Sequence, residues 1–353
     1  MKMQRIAAVG KGTSLLLACV ALTLWSQGGR EGAAAGIELC LGVLVPSLFP
    51  FMALTNLFVR TGLCQSCGRI LRKPSRRLFG LSGALAPVIL LSLLGGYPVG
   101  AGGIAALRGQ RVISAREAAH AALFAVCAGP GFVVSFVGGS VYGSTEIGLV
   151  LFASQSFSVL LTGIAAKPLA PKEAENYSDI ENKSAILPFS QALVEAVTAA
   201  ARGMLTICAF VVLFSAMTGI LAQLIPREVP LTAAYVLLEV CGAVNRCAPT
   251  QPIAVVAFAV GFGGLCVHCQ LFAALGEVKV NKVLFFVFRI IQGLLTAGFT
   301  ALGLHLLPRK AAVFSTAESG TPALTGGSLL TGAVLLAVLL CFFISVRQTL
   351  KKT

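Results

Sequence analysis

Charged residues are scarce in this sequence: Asp, Glu, Lys and Arg together make up 11% of its 353 residues. Soluble domains average about 25% charged residues, so the composition excludes a water-soluble enzyme. Hydrophobic residues account for 57% of the chain, and apolar runs recur along almost its whole length. At roughly 20 residues per spanning helix, the chain has room for about eight to ten membrane segments. We therefore predict an all-α, polytopic membrane protein with short loops.

Acidic residues are fewer still, with 13 Asp and Glu against 27 Lys and Arg. The basic residues lie in short loops between apolar segments, which is typical of the positive-inside rule and of contact with anionic lipid headgroups. No basic groove with interleaved aromatic residues is visible, so nucleic acid is not an expected partner. The expected partners are the lipid bilayer and a small-molecule solute.

The sequence has no hydrolase nucleophile elbow, Walker loop or HExxH motif. We therefore predict that the protein is not an enzyme and that it has no catalytic residues and no cofactor. Most of the 11 cysteines lie within apolar runs at irregular spacing, which does not indicate a disulfide framework. The two Cys-containing clusters, Cys64 with Cys67 and Cys266 with Cys269, fall in different halves of the chain, so no metal site is predicted.

One polar stretch divides the apolar segments into two halves. We expect an N-terminal membrane helix and loop at 1–35, a first repeat at 36–166, a polar linker at 167–188, a second repeat at 189–307, and a loop with a C-terminal membrane helix at 308–353. The N-terminal segment resembles a cleavable signal peptide. An uncleaved membrane helix is favoured because more apolar segments follow it directly. The topology of the second half stays open, since an inverted repeat and a full extra span both fit the sequence.

Glycine and proline interrupt one apolar segment in each half, at residues 95–100 and 261–266, and Gly129-Pro130 interrupts another. The arms of the first interrupted segment are short and both flanks are basic, which predicts a helix–break–helix hairpin that enters and leaves on one side of the membrane. Paired breaks in corresponding positions indicate a transporter substrate site. Close packing of helices through small residues is the alternative.

Polar side chains in apolar surroundings add to this site. An acid at the centre of a membrane helix costs at least ~2.5 kcal/mol, so Glu239 is expected to bind solute, to carry a proton or coupling cation, or to pair with Arg246 or Arg289. His268 can relay protons because an imidazole titrates near neutral pH. Gln270 can donate or accept a hydrogen bond to a ligand.

The predicted substrate site therefore combines the breaks with these polar side chains. Half-helix N-termini carry partial positive charge, which favours a small, anionic solute. The site residues are Gly95, Gly96, Tyr97, Pro98, Gly129, Pro130, Glu239, Gly263, Gly264, His268 and Gln270.

Four strings carry a family resemblance: VPSLFPF at 45–51, GGYPVGA at 95–101, LEVCG at 238–242 and GGLCVHCQ at 263–270. In this order they resemble the YlbJ-type sporulation integral membrane proteins, which are related to the nucleoside-recognition gate domains of transporters. The resemblance runs over residues 36–301.

The resemblance implies two gate-like repeats with re-entrant hairpins and a transport role in endospore formation. It also implies dipicolinic acid as the solute, and a location in the cell membrane, more narrowly the outer forespore membrane. A non-transporting membrane scaffold for sporulation partners is the alternative function. The coupling ion, the direction of transport and the oligomeric state, including a homo-oligomer, stay open.

Overall fold

A computed structural model describes residues 13, 16, 19–171, 187–225 and 228–306. No β-strand occurs among these residues. Five helices in them are long and apolar enough to cross a membrane, namely Ser26–Arg60, Thr145–Leu169, Phe189–Leu224, Ile253–Leu275 and Lys282–Leu306. The predicted all-α, polytopic membrane fold is confirmed.

Three expected features fall partly or wholly outside the described residues. Most of the first membrane segment, at 1–18, is not described. The polar linker at 167–188 is described only at its two ends, and the loop and C-terminal helix expected at 308–353 are not described at all.

The helices of the first half are α1 (Ser26–Arg60), α2 (Leu63–Phe79), α3 (Leu85–Gly95), α4 (Tyr97–Gly109), α5 (Ala115–Ala122), the π-helical α6 (Gly131–Val141) and α7 (Thr145–Ala166). Those of the second half are α8 (Phe189–Leu224), α9 (Glu228–Leu238), α10 (Val240–Cys247), α11 (Ile253–Phe262), α12 (Gly264–Leu275) and α13 (Lys282–Leu306).

The long helix α1 begins before the expected boundary of the first repeat. The expected boundary between residues 35 and 36 falls inside it, because the helix begins at Ser26. Pro46 and Pro50, which have no amide hydrogen to donate within a helix, both lie within it. A π-helical turn, Cys40–Leu44, directly precedes them. In this turn the Val45 amide bonds to the Cys40 carbonyl five residues earlier, so the turn is wider than an α-helical one.

Helices α1 and α8 pack against each other through small residues. Gly28, Gly32 and Gly36 follow one another at four-residue spacing on α1. A Cβ atom placed on Gly32 would lie 2.1 Å from the Ser215 carbonyl oxygen, and one placed on Gly219 would lie 2.2 Å from the Gly28 carbonyl oxygen. The two backbones are therefore in direct contact, as in small-residue packing between membrane helices.

The same order of elements occurs in both halves. In the first half, two broken segments, α3–α4 and α5–α6, are followed by the unbroken α7. In the second half, the broken segments α9–α10 and α11–α12 are followed by the unbroken α13. Helix α7 packs on α13, and α4 packs on α12. The gate-like repeats and the re-entrant path of the hairpins stay predictions.

Adding one methyl group at the α1–α8 contact is expected to destabilise the protein. Gly32→Ala would place its Cβ atom against the Ser215 backbone, and such overpacking costs about 1–3 kcal/mol, or roughly 5 °C in melting temperature. The matched control is Gly298→Ala on α13, where a Cβ atom meets nothing within 4 Å. Thermal unfolding in detergent measures both, and equal melting temperatures would contradict the packing described.

Candidate functional site

Four helix breaks meet at the centre of the described structure. They lie at Gly96 between α3 and α4, at residues 123–130 between α5 and α6, at Glu239 between α9 and α10, and at Gly263 between α11 and α12. The breaks at Gly96, at 123–130 and at Gly263 coincide with the interruptions expected from the sequence. By order along each half, however, the break at Gly96 corresponds to the break at Glu239, and residues 123–130 correspond to Gly263.

Within each half, the two breaks touch through their backbones. A Cβ atom on Gly96 would lie 3.0 Å from the amide nitrogen of Gly129, and one on Gly264 would lie 3.1 Å from the Leu238 carbonyl oxygen. The φ angles of Gly96 and Gly264 are 88° and 72°, in the region that favours glycine. Glycine is needed at both positions for conformation and for close approach.

A central cavity lies where the four breaks meet. The volume that the centres of water molecules can occupy in it is about 40 Å³, enough for roughly three water molecules. The lining residues come from three of the breaks, at Gly96, at 123–130 and at Glu239, and from α1, α4, α6, α8, α10 and α12: Leu44, Leu48, Gly96, Tyr97, Pro98, Ala128, Gly129, Phe132, Ile207, Val211, Glu239, Val240, Cys241, Val267 and Gln270. The cavity is narrow and mostly apolar, and Glu239 is the one charged residue in its lining.

Two wider cavities, which we call vestibules, adjoin the central cavity. The Arg246 vestibule, of about 360 Å³, shares Glu239 and Cys241 with it. The Arg60 vestibule, of about 270 Å³, shares Pro98 with it. Along α1 the three cavities follow in order: the Arg246 vestibule touches residues 32–39, the central cavity 44–48, and the Arg60 vestibule 52–60.

The side chain of Glu239 caps helix α10. Its Oε1 atom accepts a hydrogen bond from the Cys241 amide at 2.9 Å, and its Oε2 atom accepts one from the Gly242 amide at 2.5 Å. These amides belong to the first turn of α10, where backbone N–H groups have no partner within the helix. The sequence left an ion pair with Arg246 or Arg289 open, but Arg246 pairs with Glu228 at 2.8 Å.

Arg289 is fully buried and bonds to backbone carbonyl groups. Its guanidinium group donates to the Val126 carbonyl oxygen at 2.6 Å and to that of Phe262 at 3.1 Å, and it also donates to the Gly261 carbonyl and the Gln292 side chain. Gly261 and Phe262 end α11, where unpaired carbonyls and the helix dipole favour a cation. Arg289 thereby joins the break of α5–α6 to the break of α11–α12.

Two glutamines complete this support of the breaks. The Gln155 side chain on α7 bonds to both backbone groups of Ala128, donating to its carbonyl at 2.8 Å and accepting from its amide at 3.3 Å. The Gln292 side chain donates to the Phe124 carbonyl at 3.0 Å. Gln155 and Gln292 were not predicted as site residues from the sequence, and Arg289 was predicted only as a partner of Glu239. Their positions as polar residues within the apolar helices α7 and α13 were the available signal.

The structure brings together only part of the predicted site. Gly96, Tyr97, Pro98, Gly129, Glu239 and Gln270 line the central cavity, whereas Gly95, Pro130, Gly263, Gly264 and His268 are not among its lining residues. The Tyr97 hydroxyl donates to the Val260 carbonyl, which ties the start of α4 to α11. Gly263 ends α11, and Pro130 precedes α6.

His268, expected to be a titrating residue of the site, packs in the protein core. Its Nε2 atom lies 2.9 Å from the Phe262 carbonyl oxygen. The rings of Phe262, Phe285 and Phe286 surround it at centroid distances of 4.8, 5.3 and 4.9 Å. Its side chain is 1% exposed, so this surrounding indicates a structural role.

Known proteins similar to this chain belong to the family that the sequence motifs suggested. The chain is 23% identical over 316 residues to the sporulation integral membrane protein YlbJ of Bacillus subtilis (strain 168), covering 78% of each chain. Residues 41–145 match the Gate family, described as nucleoside recognition. The resemblance read from the sequence is confirmed. No solved structure matches the chain.

Replacing Arg289 by lysine is expected to destabilise the protein. Lysine cannot reach the three carbonyl groups at once, and the loss of charge-assisted hydrogen bonds costs about 3 kcal/mol, or roughly 10 °C in melting temperature. The control is Arg202→Lys, at an exposed position of α8. A thiol-reactive dye follows unfolding through the buried Cys127 and Cys266. Equal melting temperatures for both variants would contradict the assigned bridge.

Proposed function

We propose that this protein is a membrane transporter for a small anionic solute. The observation that carries the proposal is the series of three cavities along α1. Gly32 and Arg60 line the two outer cavities and lie about 42 Å apart at the 1.5 Å rise of a helix. This distance exceeds the ~30 Å thickness of the hydrocarbon core. The series is therefore long enough to form a path across the bilayer.

The narrow centre of the path fits a gated transporter better than an open pore. The central cavity holds roughly three water molecules, whereas both vestibules are several times larger. Transport then requires the broken segments to rock against the α1–α8 pair and widen the centre. Broken helices that meet at the middle of the membrane are typical of transporters that alternate their access.

The vestibules favour an anion. Each contains one arginine in an ion pair: Arg60 with Glu195, and Arg246 with Glu228. The Nε atoms of both arginines are buried without a hydrogen-bond partner. A guanidinium group has five N–H donors and binds carboxylates in a bidentate manner, so a carboxylate of the solute can bind either arginine by exchanging with its glutamate partner.

The cellular role that we propose comes from the relative. YlbJ is named a sporulation integral membrane protein, and we propose that the present chain also acts in endospore formation. The outer forespore membrane, which the family resemblance suggests, is the location that we propose. Dipicolinic acid, which the resemblance suggests, is a small dicarboxylate and suits arginine-lined vestibules. A scaffold for sporulation partners needs no series of cavities, so transport is the preferred function.

Uptake by the pure protein in lipid vesicles tests this function. Vesicles that contain the protein should take up labelled dipicolinate faster than protein-free vesicles. An excess of unlabelled dipicolinate should block the uptake, and the neutral diamide of the same ring should not, because it lacks the charge that the arginines bind. Equal uptake with and without protein would contradict a transport function for this solute, and competition by the diamide would contradict selection for an anion.

One glycine at the centre of the path is expected to be essential for uptake. Gly96→Ala would place a Cβ atom 3.0 Å from the Gly129 amide nitrogen at a φ angle of 88°. Strain of this kind costs about 1–3 kcal/mol, so uptake should fall roughly tenfold. Gly109→Ala at the end of α4, where a Cβ atom meets nothing within 4 Å, should retain it. Equal uptake by both variants would show that the Gly96 break does not control the path.

A further inference from the structure

Among the described residues, the only charged one that lines the central cavity is the negative Glu239. Glu239 also lines the Arg246 vestibule, so it lies where the two cavities join. An anion that moves between the vestibules must pass this carboxylate within a narrow, mostly apolar space. Like charges repel strongly where water is excluded. A transporter for anions therefore needs a means of neutralising Glu239 during passage.

We propose that Glu239 binds a proton during each transport cycle and that the protein carries anion and proton together. The proposal rests on the anion transport proposed above and adds the coupling ion. A proton from water in one vestibule forms an O–H bond with a carboxylate oxygen, and the anion then passes a neutral group. The proton leaves to water on the opposite side, so one proton and one anion enter and leave together.

The described surroundings of Glu239 provide no cation to neutralise it. In the part of the chain that the structure describes, its carboxylate bonds to two backbone amides, and the nearby Arg246 pairs with Glu228. The titratable groups that face it are the thiols of Cys40 on α1, Cys241 on α10 and Cys266 on α12, and the phenol of Tyr235 on α9. Thiols and phenols contribute no positive charge, so a proton from water is the available counter-charge.

The geometry of the cap favours a proton over a metal cation. The amides of Cys241 and Gly242 direct their hydrogens at the two carboxylate oxygens, and these positive hydrogens repel a cation. A hard cation also requires several further oxygen ligands. A proton needs a single lone pair, and each carboxylate oxygen keeps one when it accepts one amide bond.

Accumulation of labelled dipicolinate in vesicles tests the coupling. The membrane potential is held at zero with valinomycin and equal potassium, and uptake into protein-free vesicles is subtracted. With the outside one pH unit more acidic, wild-type vesicles should concentrate the solute up to about tenfold, since one pH unit is a tenfold proton ratio. With equal pH, the internal concentration should only reach the external one.

Direct proton movement provides a second readout on the wild-type protein. Dipicolinate that flows inward from equal pH should acidify the lumen, as read by a trapped pH-sensitive dye. Uptake without accumulation or acidification would overturn the coupling and leave the transport function standing. Absence of any uptake at equal pH would instead overturn the transport function.

Variants of Glu239 test its assignment. Glu239→Gln cannot bind and release a proton, so accumulation should fall to the external concentration. Glu239→Asp keeps a carboxyl group and should retain accumulation driven by the pH gradient. The control is Glu146→Gln, at an exposed position in the first turn of α7, which should accumulate solute like the wild type. Accumulation by Glu239→Gln, or its loss in both Glu239 variants, would overturn the assignment of the proton to this residue.

Discussion

The described structure depends on hydrogen bonds to the backbone N–H and C=O groups that four helix breaks leave without partners. These groups lie far from bulk water. In a membrane, each unpaired N–H or C=O group costs several kcal/mol, so broken helices need side chains that replace the missing bonds. Arg289 does this for the carbonyl groups at the end of α11, Gln155 for Ala128, and Glu239 for the amides at the start of α10. The bonds of Arg289 also connect the break at 123–130 to the break at Gly263, so they join the two halves.

Because the backbone groups at the breaks have hydrogen-bond partners, the narrow central cavity can exist within an apolar helix bundle. The glycines at positions 96 and 264 let the two breaks of each half approach through their backbones. Helices α1 and α8, joined through their small residues, form one wall of this space and of both vestibules. The resulting series of cavities runs parallel to a helix pair that is long enough to span the bilayer.

The sequence could predict the elements whose signals are local. Low charge and long apolar runs predict the helical membrane fold, and the glycine pairs at 95–96 and 263–264 together with Gly129-Pro130 predict three of the four breaks. The break at Glu239 has no such signal, because the residues around it read as one continuous apolar helix. It is associated with a contact between Gly264 and the Leu238 backbone, which lie far apart in sequence.

Long-range contacts also explain the other differences from the sequence-based site. Arg289 reaches the Val126 carbonyl across 163 positions, so its role as a bridge is not visible in its neighbours. His268 follows a predicted break, but three phenylalanine rings enclose it, and two of them come from α13. The π-helical turn Cys40–Leu44 within α1 is likewise not revealed by sequence patterns.

Labelling of α1 in the membrane tests the central claim, that a water-accessible path follows one face of this helix. Single cysteines are placed, in a background without native cysteines that retains uptake, at Ala35, Leu48 and Asn56, which line the three cavities. Matched cysteines are placed at Leu41 and Leu54, which are 66% and 59% exposed on the outer surface of the described structure. The account predicts that a small, water-soluble thiol reagent modifies the first three positions and spares the two lipid-facing ones. Labelling that depends only on distance from the helix ends, with Leu48 protected as well as Leu41 and Leu54, would contradict it.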